Sequence, residues 1–265
     1  MKCNGMDEVN KFEQEVNENI RRLGELEELP ALTMEWMLKV GLGGNYTYNF
    51  TWLGRPLIQF PQDIVAMQEL IWQIKPDLII EAGIAHGGSL VMSASMLALL
   101  DMCDAIEMDA TLNPRESRRK VLGIDIDIRA HNRVAIEAHP MASRVQMIEG
   151  SSTDPAIVSQ VRQIAKGYNR VLVCLDSNHA HEHVLDELHA YAPLVSVGSY
   201  CVVFDTLIED MPSDLFPNRP WGPGDNPKTA VWEYLKTHPE FEIDKSIQNK
   251  LLITVAPDGY LKRMS

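Results

Sequence analysis

The segment KPDLIIEAGIAHGGSL, residues 75–90, joins a short apolar run to a glycine-rich turn. The apolar run predicts a buried strand, and the glycines allow the backbone to turn close to a ligand before the next helix begins. Four later apolar runs also end in small or acidic residues: VLGIDID, RVQMIEGSS, NRVLVCLDSNH and GSYCVVFDT. We therefore expect these five runs to be strands that present polar residues at their ends.

Helical stretches alternate with these strands along the chain. They are IVAMQELIWQI, LVMSASMLALLD, RAHNRVAIEAH, PAIVSQVRQIAKG and EHVLDELHAYAPLV. Alternation of strand and helix is typical of a parallel sheet covered on both faces, so the predicted fold class is α/β, doubly wound. Two final strand-like runs, FEIDKSI and KLLITVAPDGYLKRM, are separated by only a few residues and predict a closing antiparallel pair.

A different pattern precedes the alternation. Residues 7–28 have apolar positions at spacings of three and four, which predicts an amphipathic helix that packs on another element. Residues 45–61 are aromatic, polar and interrupted by Pro and Gly, which indicates an ordered loop that could serve as a lid. We expect a helical and aromatic cap over residues 1–60 and one main domain over residues 61–265.

Composition excludes several classes of protein. The 265 residues contain 24 Lys and Arg against 37 Asp and Glu, and the formal net charge of −13 would repel a nucleic-acid backbone. The longest apolar stretch, residues 90–100, is shorter than the roughly 20 residues that a membrane span requires. The charged N-terminus does not resemble a secretory signal, so we expect a cytoplasmic protein that binds no nucleic acid and does not span a membrane.

The cysteines fit the same interpretation. They form no CxxC pair, which favours reduced structural thiols over a metal or disulfide site. The four are Cys3, Cys103, Cys174 and Cys201.

The end of the first predicted strand indicates the kind of ligand. Its pattern, E-x-G-x-x-x-G-G-S, differs from the GxGxxG fingerprint of dinucleotide sites, and the acid before the first glycine suits a cationic or zwitterionic group better than a pyrophosphate. This favours S-adenosylmethionine over NAD. The candidate cofactor residues in this turn are Glu81, Gly83, His86, Gly87 and Ser89.

The next two strand ends extend the predicted cofactor site. Asp125 is placed to accept hydrogen bonds from both hydroxyls of a ribose. Glu149, Gly150, Ser151 and Ser152 end the third strand, a natural edge for an adenine. Any one of the acids alone could instead cap a helix or face solvent. Acids at three successive strand ends favour a nucleoside site.

The fourth and fifth strand ends carry candidate catalytic groups. Asp176 and Asp205 could share a divalent cation through oxygen ligands, while His179 is placed to accept a proton. Asp176 is also a candidate cofactor contact. His183 lies four residues after His179, which predicts that both rings share one helix face.

Other interpretations of this segment are structural. The alternative for Asp176 is that it caps the following helix, as Ser177 or Asn178 could also do. We expect His181 and His189 to be surface residues.

The candidate acceptor-binding residues are aromatic or basic. Aromatic faces stack on sugar rings and exclude water, and Arg55 could contact a sugar or a cofactor carboxylate. An equally weighted alternative places these aromatics in the core of the cap or in a subunit interface. The N-terminal helix is a reasonable place for contacts in a predicted homo-oligomer. The candidates are Tyr48, Trp52, Arg55 and Trp221.

Several motifs together resemble the cephalosporin hydroxylase family, also called the rhamnosyl O-methyltransferase family, from about Tyr46 to the C-terminus. They are WLGRPLIQFPQD, IIEAGIAHGGS, GIDID, IEGSSTD, LDSNHAHEHV and RPWGPGDNPKTAVWEYL. The resemblance implies a Rossmann-like class I S-adenosylmethionine-dependent methyltransferase fold with an antiparallel last strand, usually oligomeric. It also implies methyl transfer to an oxygen of a sugar or antibiotic scaffold. Hydroxylation is the weaker expectation, because nothing in the sequence resembles an iron or flavin site.

The same resemblance assigns roles at the last two strand ends. Related sugar methyltransferases bind Mg²⁺ with an Asp after strand four and an acidic pair after strand five, and some use a histidine three residues after the first Asp as base. Asp176, His179 and Asp205 match this pattern, but Phe204 replaces the first acid of the pair. Three possibilities stay open: water or Thr206 fills the position, the site binds metal weakly, or transfer needs no metal.

The resulting hypothesis is an O-methyltransferase acting on a sugar hydroxyl of a saccharide or glycosylated natural product. His179 is its expected base and Mg²⁺ a possible assistant. The alternatives are a non-catalytic binding or scaffold protein, which Phe204 favours, and a small-molecule hydroxylase. An NAD oxidoreductase is disfavoured because the GxGxxG fingerprint is missing.

Overall fold

A computed structural model of the protein describes residues 3–265, with side chains described from Glu8 onward, so the thiol of Cys3 lies outside the described part. The helices of these residues are α1 (Cys3–Gly24), α2 (Leu29–Gly44), α3 (Pro61–Ile74), α4 (Gly88–Glu107), α5 (Ala130–Glu137), α6 (Pro155–Ala165), α7 (His181–Tyr191), α8 (Pro227–Leu235) and α9 (Lys245–Leu251). The strands are β1 (Thr51–Trp52), β2 (Arg55–Pro56), β3 (Leu78–Ala82), β4 (Lys120–Asp125), β5 (Val145–Glu149), β6 (Val171–Leu175), β7 (Tyr200–Val203), β8 (Phe241–Ile243) and β9 (Tyr260–Arg263).

Seven strands form one mixed sheet in the order β5-β4-β3-β6-β7-β9-β8. Strands β3 to β7 pair in parallel, whereas β9 runs antiparallel to both of its neighbours. The α/β fold class and the closing antiparallel strand are therefore confirmed. The central strands β3 and β6 are buried along their whole length, as expected for a parallel sheet with helices on both faces.

The antiparallel end of the sheet differs from the prediction in its details. The strands β8 and β9 have only three and four residues, and helix α9 occupies much of the segment between them. The helix begins there because the Asp244 carboxylate accepts a hydrogen bond from the Ser246 backbone N–H at 3.1 Å. The chain then returns to the sheet through a turn in which Gly259 packs so closely that a Cβ would lie 2.0 Å from the Val203 carbonyl oxygen.

The N-terminal helix prediction was wrong in extent. Helix α1 ends at Gly24 instead of continuing to residue 28, and the unpredicted helix α2 follows. A Cβ at Gly24 would lie 2.3 Å from the Asn249 side chain, so the end of α1 approaches α9 closely. The start of its apolar stripe is uncovered, because Val9 and Phe12 are 57% and 67% exposed.

Helix α4 is long and apolar enough to cross a membrane by length and composition alone, and half of its apolar stretch is buried inside the fold. Leu90, Leu97 and Leu100 belong to the core, where they are at most 1% exposed. It is the helix that begins at the glycine turn and packs beside α3 and β4. Its apolar character is that of a core helix.

Candidate active site

The carboxyl ends of the parallel strands open onto one cleft. Strand β4 lies on one side of β3 and β6 on the other, so the strand order reverses here, and ligands bind at such switch points. The cleft has a volume of about 220 Å³ and is open to solvent. Its lining comes from four strand ends, from α7 and from the segment after β1: Pro56, Leu57, Ile58, Gln59, Gly83, Ile84, Ala85, His86, Gly88, Ser89, Ile124, Asp125, Ile126, Ser151, Ser152, Asp176, Ser177, Asn178 and His183.

The glycine turn between β3 and α4 needs its glycines. The backbone has positive φ at Gly83 (+97°), Ala85 (+46°) and Gly87 (+79°), a conformation that side chains with a Cβ rarely adopt. A Cβ on Gly83 would lie 2.1 Å from the Asp176 carbonyl oxygen. A Cβ on Gly88 would lie 2.1 Å from the Pro56 carbonyl oxygen. The turn is therefore packed tightly between β6 and the segment after β1, which fixes its backbone along the cleft.

Asp125 holds this turn in place. Its Oδ2 accepts hydrogen bonds from the backbone N–H groups of Ile84 (2.8 Å) and Ala85 (3.2 Å), and its Oδ1 accepts one from Asp127 (3.1 Å). The N–H of Ala85 in its strained conformation is thus satisfied by the carboxylate. Asp125 lines the cleft, and both of its oxygens have lone pairs left for a ligand.

Not every predicted cofactor residue faces the cleft. Gly83, His86, Ser89, Ser151 and Ser152 line it, together with Asp125 and Asp176. Gly87 is the N-cap of α4, and a Cβ there would meet the Ile136 side chain at 2.4 Å. Neither Glu149 nor Gly150 is among the lining residues, and the exposed Glu149 carboxylate pairs with Arg133 at 2.7 Å. Of the residues predicted for the adenine edge, the two serines line the cleft.

Glu81 lies behind the cleft. It is 4% exposed, accepts a hydrogen bond from the Ser89 hydroxyl, and lines a smaller inner cavity that also touches Asp63 and Asp176. Burial raises the pKa of the Glu81 carboxyl to about 7, against the lowering effect of the Ser89 hydrogen bond. A carboxyl in this state can exchange its proton near neutral pH.

Three predicted side chains meet beside the other end of the cleft, and Asp176 is the one of them that lines it. Asp176, His179 and Asp205 each offer a ligand atom, and these atoms lie within 4.8 Å of one another. The His179 Nε2 is 3.2 Å from the Asp205 Oδ2. Asp205 itself has a positive φ of 56°, at the start of a short 3₁₀ helix, Thr206–Asp210. We call these three residues the Asp176 end, and Gly83, Asp125, Ser151 and Ser152 the Asp125 end.

The Asp176 end is crowded with negative charge. Burial raises the pKa of the Asp176 carboxyl well above its ordinary value, and the neighbouring carboxylates of Asp205, Glu81, Glu187 and Asp63 raise it further. The Gln59 side chain donates a long hydrogen bond of 3.4 Å to Asp176 Oδ2, while its own buried Oε1 has no partner among the described residues. This donor set of carboxylates and an unpaired carbonyl oxygen fits a cation.

The structure shows the surroundings of Phe204, which stands where the resemblance implies an acid. Phe204 is 7% exposed, belongs to the core and lines the inner cavity. The Thr206 hydroxyl donates to the Pro257 carbonyl oxygen at 2.6 Å, so in this conformation it is used elsewhere. Of the possibilities left open by the sequence, the one that assigns Thr206 to the metal is not supported.

The loop after β6 corrects two predictions. Helix α7 begins only at His181, so His179 lies in the preceding loop and does not share a helix face with His183. None of Asp176, Ser177 and Asn178 caps this helix, whose N-cap is Ala180. Asn178 Oδ1 accepts the Ala180 N–H at 2.9 Å, within the loop. Because the loop separates them, His179 meets Asp205 whereas His183 lines the cleft.

The prediction for the remaining two histidines was half wrong. His189 is exposed, as expected. His181 is partly buried between α7 and α8: its Nδ1 lies 2.8 Å from the Thr229 hydroxyl and its Nε2 lies 3.3 Å from the Glu233 carboxylate. The periodicity of α7 alone gives no sign of α8 lying beside it.

The four candidate acceptor residues lie in different surroundings. The Trp221 ring meets the His179 ring edge to face with centroids 5.0 Å apart, at the Asp176 end. Trp52 donates to Ser95 on α4 at 2.9 Å. Arg55 donates to the His86 carbonyl oxygen at 3.0 Å, which fastens β2 to the glycine turn. Tyr48 is 65% exposed and is not among the residues that line the cleft.

Sequence reasoning missed two groups beside the cleft. The buried acids Asp63 and Glu187 raise the pKa of Asp176. A polar residue in an otherwise apolar stretch was the available signal for Asp63. Glu187 carried no such signal, since an acid in an amphipathic helix ordinarily faces solvent.

Solved structures of other proteins share this architecture. The strand order, with its single antiparallel strand, and the cleft at the switch point define a class I methyltransferase fold. A structure of CmcI with Mg and SAM has 18% identity and a TM-score of 0.54, covering 82% of this chain and 78% of that one. A CmcI structure with SAH has 19% identity and a TM-score of 0.52, covering 82% and 83%.

Sequence comparison gives the family. The profile of the Rhamnosyl O-methyltransferase/CmcI family matches residues 44–264. The rhamnosyl O-methyltransferase of Mycobacterium tuberculosis H37Rv is 32% identical over 218 residues, 80% of this chain and 78% of the relative. The Mycobacterium leprae enzyme of the same name is 29% identical over 225 residues, 83% and 86%. The chain belongs to the rhamnosyl O-methyltransferase/CmcI family and is an O-methyltransferase.

Proposed function

We propose that this protein transfers a methyl group from S-adenosylmethionine to a hydroxyl of a sugar, with a rhamnosyl group of a saccharide or glycosylated natural product as the first acceptor to test. The observation that carries the proposal is the meeting of Asp176, His179 and Asp205 beside the glycine turn. A candidate base and two carboxylates then lie together beside the cleft, which Asp176 lines. The names of the mycobacterial relatives support the sugar.

The residues of the cleft fit this cofactor. The Asp125 carboxylate would accept hydrogen bonds from the ribose hydroxyls, and Ser151 and Ser152 would contact the adenine edge, which is supported by their position in the cleft lining. The N-terminus of α4, with Ser89 in its first turn, suits a carboxylate, and the acids around Gln59 suit an ammonium or sulfonium charge. When bound, S-adenosylmethionine supplies a methyl group on a positively charged sulfur, open to in-line attack by oxygen. The CmcI structures with SAM and SAH support the assignment.

His179 is the proposed general base. With Nε2–H directed to Asp205, the Nδ1 lone pair is free to accept the proton of the acceptor hydroxyl as the oxygen becomes nucleophilic. The Asp205 carboxylate orients the ring and stabilises the imidazolium that forms. Trp221 packs against the other side of His179 and offers a wall for the sugar ring.

Mg²⁺ would be held by Asp176 and Asp205. Carboxylate oxygens are its preferred protein ligands, and a cation there would lower the pKa of an acceptor hydroxyl. With Phe204 beside it, the site would offer two carboxylates and depend on water and acceptor oxygens for the remaining positions. We therefore propose assistance by Mg²⁺ as the weaker part of the mechanism.

Three further expectations stay part of the proposal. Residues 1–60 would act as a cap on the domain of residues 61–265, supported by the cluster of Met37, Phe60 and Leu207 that joins them. The chain would act as a homo-oligomer and in the cytoplasm.

The first experiment is calorimetric titration with S-adenosylmethionine and S-adenosylhomocysteine, each with Mg²⁺ and with EDTA. Binding by the wild-type protein that is weakened in Asp125→Ala supports the cofactor site and justifies assays with rhamnosyl acceptors. Binding without methyl transfer to any sugar would favour the scaffold alternative. Failure to bind either ligand would overturn the proposal.

A further inference from the structure

One polar cluster borders the cleft without a role in the reaction described above. His183 projects from the first turn of α7, and its Nε2 lies 3.1 Å from the Ser152 hydroxyl oxygen, 3.3 Å from the Ser177 hydroxyl oxygen and 3.5 Å from Glu187 Oε1. Ser152 and Ser177 line the cleft together with His183, whereas Glu187 is fully buried below them. The cluster therefore connects a buried charge to the wall of the Asp125 end.

The positions of two hydrogens follow from the geometry. The Ser177 hydroxyl donates to Glu187 Oε1 at 2.6 Å, so its hydrogen is committed. The His183 Nε2 faces the same carboxylate, and an unprotonated nitrogen would place two lone pairs against each other. The hydrogen bond with Glu187 also raises the pKa of the His183 imidazole, against the opposing effect of burial. Nε2 therefore carries a hydrogen.

Ser152 then has one hydrogen left over. With its one hydrogen directed between Glu187 and the Ser152 oxygen, the His183 Nε2 has no lone pair to accept from Ser152, so the Ser152 O–H must donate elsewhere. Among the described side chains, His183 is the only hydrogen-bond partner of Ser152 Oγ. The Ser152 backbone is fixed as well, because the buried Tyr191 hydroxyl donates to its carbonyl oxygen. A residue held on both sides in this way presents its free donor to the cleft.

We propose that the His183–Glu187 pair is a positioning device that holds the Ser152 hydroxyl as a hydrogen-bond donor to a ring nitrogen of the nucleobase of the bound cofactor. The inference rests on the proposed function for the presence of an adenine nucleoside. It adds that toward the base Ser152 is a donor and not an acceptor, and that two residues of α7 determine this. Purine ring nitrogens accept hydrogen bonds, while the exocyclic amine donates, so the device selects a ring nitrogen over the amine at Ser152.

The test compares S-adenosylhomocysteine with three analogues in which N1, N3 or N7 of adenine is replaced by CH. By calorimetry, wild-type protein should bind one of the analogues about 3–10-fold more weakly, the effect of one neutral hydrogen bond. Ser152→Ala should bind S-adenosylhomocysteine more weakly by a similar factor and bind that analogue no worse. The two losses are then not additive, as expected of partners in one contact.

The α7 variants separate positioning from a structural role. His183→Leu should lose the preference for S-adenosylhomocysteine over the analogue, whereas His183→Gln, whose amide N–H can donate to Ser152, should keep it. Glu182→Gln, at an exposed acid in the same turn, is the matched control and should behave as wild type. If His183→Leu does not fold, Glu187→Gln replaces it, since it removes the charge facing Nε2 and keeps the side-chain shape.

The outcomes distinguish the two levels of the argument. Equal binding of all four ligands by the wild-type protein, or a preference that persists in Ser152→Ala or in folded His183→Leu, overturns the inference and leaves the proposed function standing. Absence of S-adenosylhomocysteine binding by the wild-type protein overturns both.

Discussion

The two ends of the cleft treat negative charge in opposite ways. At the Asp125 end, the carboxylate accepts three backbone N–H groups, and the neighbouring Glu149 pairs with Arg133. At the Asp176 end, Asp176 and Asp205 lie close together with Glu81, Asp63 and Glu187 behind them. The described side chains that contact the first two carboxylates are those of Gln59 and His179. The first end is already satisfied by the protein. The second is arranged to be completed by positive charge from a ligand.

This difference suggests a division of labour. A satisfied carboxylate holds its geometry and can bind neutral hydroxyls, which is a binding role. Crowded carboxylates beside a histidine favour the development of positive charge, which is a catalytic role. Variants at the Asp176 end should therefore change turnover, and those at the Asp125 end should change cofactor affinity.

The largest expected effect tests the Asp176 end. His179→Gln removes the proposed base while preserving a side chain that can bond to Asp205, and kcat should fall about 10²–10⁴-fold, the range for general-base catalysis. The dissociation constant of S-adenosylhomocysteine, measured by calorimetry, should change little. His131→Gln, at an exposed histidine on α5, serves as the matched control. A kcat within a few-fold of wild type would show that another group removes the proton.

The buried carboxyl of Glu81 should also make the free energy of unfolding depend on pH. The Glu81 pKa is raised from 4.5 to about 7 in the folded protein, so the folded state holds a proton that the unfolded chain has released at neutral pH. The stabilisation from this group is complete below pH 4.5 and is lost as the pH rises through 7. For the full difference in pKa, the free energy of unfolding falls by about 3 kcal/mol. Glu81→Gln should therefore flatten the decrease in melting temperature between pH 5 and pH 8.

Two details complete the stability experiment. Glu107→Gln, at an exposed acid on α4, should keep the wild-type pH profile. Asp63, whose pKa burial raises to about 6, contributes a decrease of the same sign at lower pH, so a residual slope is expected in the Glu81 variant. Identical slopes in Glu81→Gln and wild type would indicate that Glu81 is ionised in the folded protein throughout this range.

The Asp125 end should respond in affinity. Asp125→Ala removes the carboxylate proposed to bind the ribose hydroxyls and the acceptor that holds Ile84 and Ala85 in the turn. The dissociation constant of S-adenosylhomocysteine should rise about 10–100-fold, as expected for hydrogen bonds to a charged group, while kcat at saturating cofactor should fall less. Asp127→Asn, two residues beyond the end of β4, is the comparison. A fall in kcat with unchanged affinity would contradict the division of labour.

These sites were accessible to sequence reasoning to different degrees. The strand-end residues Asp125, Asp176 and Asp205 could be placed because each follows a buried apolar run, and parallel strands end at the same edge of a sheet. Trp52 and Arg55 could not be assigned, because the structure uses their polar atoms to hold Ser95 and the glycine turn, contacts between segments more than 30 residues apart. Local pattern carries no information on such contacts.

The elements that the sequence did not predict have similar causes. Helix α9 lies between two strand-like runs, and the Asp244 side chain caps its first turn. His179 was expected on a helix with His183, but the turn at Asn178 delays the start of α7 until His181. In both places one polar side chain bonded to a nearby backbone N–H decides the local structure, and the hydrophobic pattern does not register it.

The smallest expected effect concerns the acceptor. Trp221→Ala removes the ring that packs against His179, and the KM for a sugar acceptor should rise about 3–10-fold, the contribution of one aromatic contact. Affinity for S-adenosylhomocysteine should be unchanged, because Trp221 is not among the residues that line the cofactor cleft. Trp72→Ala, at a half-exposed indole on the outer face of α3, controls for the loss of a large aromatic ring. A lower kcat with constant KM would instead mean that Trp221 acts by orienting His179, and would extend the catalytic role of the Asp176 end to the loop that carries this tryptophan.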